Sequence, residues 1–203
     1  MARDELGPWK PLGLNQVVGI FDKWPRRWWV SGGLALELCM GSSWRTHEDT
    51  DVGVLRHDVA ELASVLADWD IQVAAAGTLP PWDGSELSAD AHQNNMWCRT
   101  APDQPWCLDL TVNEGDRQFW ISRRDPGLKV PWDDAVLRNH EGIPYLEPVL
   151  QLLYKSKNNR PKDDQDASQV IPNLAAEQRG RFRTLLPADH PWQALLARPE
   201  SDS

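Results

Sequence analysis

A hydrophobic run through Trp29 and Val30 ends in Ser31-Gly32-Gly33, which opens a helix-like segment, Leu34-Ala35-Leu36-Glu37. After a short loop containing Arg45-Thr46-His47-Glu48, two aspartates one residue apart, Asp49 and Asp51, enter a second apolar run. Side chains alternate along a strand, so a strand over 49–54 projects Asp49 and Asp51 from one face. Two carboxylates held that close repel unless a cation sits between them, and hard divalent ions such as Mg²⁺ favour oxygen ligands of this kind. The glycine pair lets a phosphate chain approach the backbone, and the helix start behind it offers N–H groups to that chain. A fold that satisfies both segments sets a metal-binding pair beside a phosphate-binding turn, as nucleotidyl transfer requires.

Asp109 lies in a third apolar run, Trp106-Cys107-Leu108-Asp109-Leu110-Thr111-Val112. A carboxylate buried there needs compensation. An arginine partner would supply it, and so would a metal shared with Asp49 and Asp51. The basic group Lys155, Lys157, Arg160 and Lys162 follows an apolar helix. It reads either as a solvated helix end complementing the macrodipole or as phosphate contacts, with Lys155 or Lys157 facing the pocket. Helical spacing lets only one of those two lysines face it squarely. Arg45 either contacts phosphate or holds its loop, and His47 reads as a structural hydrogen-bond donor. Glu37 and Glu114 are further acids whose default is surface exposure. Asp83, Glu86 and Asp90 could give a cationic substrate an acidic rim, with a solvated loop as the alternative.

The chain reads as one domain with a small helical appendage: a catalytic domain over 1–140, a C-terminal helical portion over 141–198 and a disordered tail over 199–203. Strands are expected at 27–31, 50–55, 71–75, 95–100, 106–113 and 117–122. Helices are expected at 12–24, 33–40, 58–67, 147–158, 164–171 and 175–186. The fold class is α/β (α+β), a mixed sheet flanked by helices. The net charge of −9 over 203 residues disfavours broad contact with a nucleic-acid backbone. No apolar run is long enough to span a bilayer, and no signal-peptide core opens the chain, so a cytoplasmic protein is expected. The three cysteines and five histidines show no metal-ligand spacing.

These motifs resemble the nucleotidyltransferase superfamily that includes DNA polymerase beta. Within it they resemble the antibiotic-modifying branch of aminoglycoside 2''-nucleotidyltransferases and lincosamide nucleotidyltransferases. Gly32-Gly33-Leu34-Ala35-Leu36-Glu37, then Gly41, then Trp44-Arg45-Thr46-His47-Glu48-Asp49-Thr50-Asp51 stand where that branch has its glycine and aspartate motifs. Leu34 takes the place of a frequent tryptophan, Glu37 of an aspartate and Thr50 of an isoleucine, and none of these removes a metal ligand. The resemblance implies that Asp49 and Asp51 bind Mg²⁺, two ions in all, and through it the nucleoside triphosphate. It implies Asp109 as the third carboxylate, which helps deprotonate the acceptor hydroxyl, and Ser31, Gly32 and Gly33 as the cradle of the outer phosphates. The expected function is transfer of AMP from ATP to a hydroxyl of a small molecule such as an aminoglycoside. The alternatives are an antitoxin-type enzyme modifying a protein or tRNA, and an inactive nucleotide-binding relative.

Overall fold

The computed structural model describes residues 6–157 and 160–197. The tail expected over 199–203 lies outside them.

The sheet has the strand order β3-β4-β5-β2-β1-β9-β8. Here β1 is Trp28–Val30, β2 Asp51–Leu55, β3 Asp70–Ala74, β4 Asn95–Arg99, β5 Leu108–Gly115, β8 Val136–Arg138 and β9 Pro144–Leu146. The pairs β2/β5 and β1/β9 run parallel and the others antiparallel, so the sheet is mixed. The far end of β5 pairs with β6 (Phe119–Ile121), which pairs with β7 (Lys129–Pro131). The antiparallel series β4-β5-β6 agrees with the sequence reading. Strands β7, β8 and β9 have three residues each, too few to show a period of two, and the sequence reading has none of them. Since β9 pairs with β1 through Val30 and Tyr145, the sheet extends past residue 140.

Alternation along β2 and β5 sorts the two faces. Val52, Val54, Leu108, Leu110 and Val112 turn to one core with Val17 and Phe21 of α1 (Leu14–Phe21) and with Val59 and Leu62. Val59 and Leu62 belong to a 3₁₀ segment, Arg56–Ser64, where the sequence suggested an α-helix over 58–67. Their three-residue separation suits the tighter turn, in which i and i+3 eclipse. The opposite face carries Asp51, Asp109, Thr111 and Asn113, and it is this face that holds the site.

A second core joins α2 (Gly32–Met40) to the C-terminal helices α4 (Pro148–Lys155), α5 (Pro161–Val170), α6 (Ala176–Leu185) and α7 (Gln193–Leu196), through Leu36, Val149, Leu152, Ala167, Val170 and Phe182. The short α3 is Trp132–Ala135. Helix α4 starts sharply because Pro148 fits its first turn and the Glu147 carboxylate accepts the Leu150 amide at 3.1 Å. That start fixes which α4 side chains face the sheet. Among the described residues no helix is long and apolar enough to cross a membrane.

Candidate active site

Asp51 opens β2, Asp109 lies one residue into β5, and the parallel register sets the two side by side. The Asp109 amide donates to the Thr50 carbonyl at 2.9 Å, which locks that register at the end where the acids lie. Asp49 joins them two residues before Asp51. One carboxylate oxygen from each of Asp49, Asp51 and Asp109 lies within 4.8 Å of the others. Asp109 is 8% exposed and accepts from Asn95 Nδ2 at 2.8 Å, so a neighbouring strand fixes its orientation. An all-oxygen set of this spacing suits a hard divalent cation such as Mg²⁺.

The turn from β1 into α2 borders the triad. The Ser31 amide donates to the Asp51 carbonyl at 2.9 Å, which ties the turn to β2. Gly32 has φ +70, and a β-carbon there would overlap the Asp51 carboxylate. Its amide donates to Gln151 Oε1 on α4 at 2.9 Å. Glycine is therefore required twice over, by its left-handed backbone and by the close approach of Asp51. Gly32→Ala is expected to lower stability by about 1–3 kcal/mol and to push Asp51 off the triad. Magnesium-dependent nucleotide affinity should then fall at least about tenfold, and calorimetry together with a melting curve checks both effects.

Gly33 is needed for packing: a β-carbon on it would meet the Arg45 guanidinium and the His47 ring. Arg45 makes a two-pronged pair with Asp166 of α5, Nε to Oδ1 at 2.8 Å and Nη2 to Oδ2 at 3.0 Å. Of the two readings of Arg45, this placement is the loop-holding one. Burial opposes its charge, but the Asp166 pair outweighs burial and the pKa is raised. Glu37 is not on the surface. It is 7% exposed, accepts the Trp44 amide at 3.1 Å and the Arg45 amide at 3.3 Å, and lies 3.0 Å from His47 Nε2. Burial raises its pKa, while the Trp44 amide, Ser43 and His47 more than reverse that, leaving it lowered. Glu37 is thus a loop clamp, and His47 packs against the same clamp. Glu114 pairs with Arg56.

Of the expected pair, Lys155 lines the cavity that also contains Ser31, Gly32 and Asp51. Lys155 is 7% exposed and bridges Asp163 Oδ1 at 3.0 Å and Asp166 Oδ2 at 2.9 Å. Lys157 is exposed and lines a different cavity. Lys155 ends α4 and Lys157 lies past its C-cap, Ser156, so the two do not share a helix face. Arg160 accompanies Lys155 at the glycine turn. It pairs with Asp163 at 2.7 Å and lines the same cavity as Ser31, Gly32 and Asp51. Its pKa is raised first by the Asp163 bond, burial opposing, and then by the charges of Asp163, Asp49 and Asp51.

That cavity, about 160 Å³, runs from Ser31 and Asp51 across Thr111 and Asn113 to Arg123 and Arg124. The two arginines follow β6. Arg123 donates to the Asn94 and Val112 carbonyls, each at 3.1 Å, and Arg124 to the Tyr154 carbonyl at 2.7 Å. The sequence reading missed both arginines and Gln151. The period-two pattern Asp109-x-Thr111-x-Asn113 was the available signal for the polar floor, but nothing local links 123–124 to it. On the other side of Asp109 a space of about 300 Å³ opens between Trp97 and residues 74–79. Asp83, Glu86 and Asp90 are exposed loop residues, as their solvated reading has it. A larger cavity of about 770 Å³ lies at the opposite end of the strands, around Trp28, Gly115 and Trp132, and contains none of the three acids.

Residues 13–78, which include the glycine turn, Asp49 and Asp51, match the aminoglycoside-2''-adenylyltransferase family. No curated protein sequence matches the chain. Among solved structures, the crystal structure of ANT(2'')-Ia in complex with adenylyl-2''-tobramycin aligns with a TM-score of 0.54 at 12% identity, covering 84% of this chain and 95% of the other. The lincomycin-bound lincosamide antibiotic adenylyltransferase LnuA aligns with a TM-score of 0.51 at 18% identity, covering 82% and 94%. The solution structure of ANT(2'')-Ia aligns at 0.52 with 12% identity, covering 90% and 92%. The family match over residues 13–78 and the shared fold agree with the resemblance carried by Gly32-Gly33 and Asp49-x-Asp51.

Proposed function

We propose that this protein transfers AMP from magnesium-bound ATP to a hydroxyl of a small-molecule acceptor of the aminoglycoside class. The observation that carries the proposal is the register of β2 on β5, which brings Asp51 beside Asp109 with Asp49 in reach, next to a turn that only glycine can form. The matched family is named for adenylyl transfer to an aminoglycoside, and the solved relatives include one holding an adenylylated aminoglycoside.

Asp49, Asp51 and Asp109 are the residues that would hold Mg²⁺. Bound there, the metal supplies charge neutralisation for the triphosphate and for the departing pyrophosphate. Asp109, fixed by Asn95, takes the proton of the acceptor hydroxyl. The hydroxyl oxygen forms a bond to the α-phosphorus, the bond from that phosphorus to the bridging oxygen breaks, and pyrophosphate leaves. The Ser31 hydroxyl and the helix start behind Gly32 receive the outer phosphates, Gly32 leaving room for their approach, and Arg160 adds a fixed cation. Arg123 and Arg124 extend that positive lining along the floor of the cavity. The space between Asp109 and Trp97 gives the acceptor an approach apart from the phosphate cavity.

The test incubates the protein with ATP, Mg²⁺ and a panel of aminoglycosides and lincosamides, and reads acceptor masses. A gain of one AMP on an aminoglycoside supports the proposal. Tight nucleotide binding with transfer only to tRNA or to a protein would contradict the small-molecule acceptor.

A further inference from the structure

Arginines gather at the ends of the strands opposite the three acids. Strand β1 starts where β2 and β5 end, and β9 starts there too, with β8 ending beside it. That edge therefore collects Arg26 and Arg27 before β1, His57 and Asp58 after β2, Asp116 and Arg117 after β5, and Arg138 on β8. All of them line one cavity of about 770 Å³, a size typical of small-molecule sites. It shares no lining residue with the phosphate cavity. From Asp51 to Leu55 the strand β2 alone separates the two ends by about 13 Å. Four arginines on one concavity stand out in a chain whose net charge is −9.

Some of these charges hold the fold. Arg26 donates to Glu61 Oε1 at 2.5 Å and lies 3.3 Å from Asp58. The Asp116 carboxylate accepts the Gln118 and Phe119 amides, each at 2.8 Å, and fixes its own turn. The other three arginines have no carboxylate partner among the described residues. Arg27 lies over the Trp132 ring, 4.9 Å from its centre. Arg138 donates to the Gly142 carbonyl at 2.6 Å. The Arg117 side chain is exposed and makes no ion pair or hydrogen bond among the described residues. Trp132 Nε1 donates to the Asp116 carbonyl at 2.8 Å, so the ring beneath Arg27 and the turn carrying Arg117 are held together.

We propose that this cavity binds a small anion bearing a phosphate group, held by Arg27, Arg117 and Arg138. A guanidinium presents a planar fork of N–H donors that meets two phosphate oxygens at once, and it gives up its hydration more readily than an ammonium. The lining uses arginine throughout and no lysine. The concave shape suits a small ligand, whereas an extended polyanion such as RNA would run out over a surface of net negative charge. The proposal does not depend on the nucleotidyl-transfer reading.

The test is calorimetry at low ionic strength without Mg²⁺, with inorganic pyrophosphate as the probe. Without metal, Asp49, Asp51 and Asp109 repel the probe from the phosphate cavity. The wild type is expected to bind one pyrophosphate. Affinity should fall at least about tenfold in Arg27→Gln/Arg117→Gln, which removes two charged donors, and stay unchanged in Arg160→Gln, whose side chain lines the other cavity. Arg27 and Arg117 are exposed and hold no ion pair, so the double variant should keep the wild-type melting temperature. Unchanged affinity in the folded double variant overturns the proposal, as does the absence of saturable binding by the wild type. Saturable binding of a short RNA but not of pyrophosphate would give the arginines to a nucleic acid and overturn the small-anion assignment.

Discussion

Asp51→Asn is expected to leave the protein folded and to lower nucleotidyl transfer by about 10³-fold or more, the scale of removing a principal electrostatic contact to the reacting phosphate. The substitution keeps the shape of a side chain that sits against Gly32 and beside Asp109, so the packing has little reason to change. It removes one negative charge from a cluster whose oxygens lie within 4.8 Å of one another. Like charges at that range repel, so the melting temperature in the absence of Mg²⁺ should stay level or rise slightly. Stability held and transfer lost is the signature of an acid kept for chemistry. Loss of folding in Asp51→Asn would assign it a structural role instead, and wild-type turnover would remove it from the site.

Asp166→Ala should have the opposite signature, a large loss of stability. Asp166 is fully buried and receives the Arg45 guanidinium in two bonds, Lys155 Nζ at 2.9 Å and Trp44 Nε1 at 2.9 Å. The network joins the loop before Asp49 to α4 and α5, and its truncation leaves the largely buried Arg45 without its carboxylate and the buried Lys155 with Asp163 alone. Breaking a buried pair in this way destabilises by about 3–5 kcal/mol. For a chain of this size that corresponds to a fall in melting temperature of roughly 6–20 °C. Burial pushes the Asp166 carboxyl up, but Arg45, Lys155 and Trp44 outweigh it and hold its pKa at about 2, below the ordinary 3.8. A depressed carboxylate pKa contributes stability that is complete above the ordinary value and lost as pH falls toward the folded one. Wild-type stability should therefore drop as pH falls from about 4 toward about 2, and that part of the decline should be weaker in Asp166→Asn. Denaturant midpoints across that pH range check it; identical acid profiles in the two proteins would show that Asp166 is not the group responsible.

The site was legible in the sequence where it depends on local pattern. Gly32-Gly33 and Asp49-x-Asp51 are contiguous motifs, and the alternation around Asp109 marks one polar position in an apolar strand. The parallel register of β2 on β5 brings these together, and no local signal encodes that register. The cations were read less well for the same reason. By sequence Lys155 fits either a solvated helix end or a phosphate contact; Asp163 and Asp166, on the next helix, enclose it in the wall of the cavity at Ser31 and Asp51. Glu37 looks exposed until the 43–47 loop closes over it. Arg123 and Arg124 sit in a turn whose only visible feature is polarity, and the β5–β6 pairing that swings them over Val112 is a tertiary matter. Strands β7, β8 and β9 escaped because three residues carry no measurable period and, unlike β1 and β6, none lies in a Trp-rich or turn-bounded run. The long apolar runs around Trp29, Val54 and Leu110 showed their period or length plainly, and the sheet built on them agrees with the expected fold class.

The central claim is a metal-dependent nucleotide site made by Asp49, Asp51 and Asp109 beside Gly32. Its most direct test is calorimetric titration with a non-hydrolysable ATP analogue, with and without Mg²⁺, on the wild type and on the Asp49→Ala/Asp51→Ala double variant. The account predicts binding by the wild type that needs Mg²⁺ and is lost in the folded double variant. Equal binding by the two proteins, or no binding by the folded wild type with Mg²⁺ present, would contradict it.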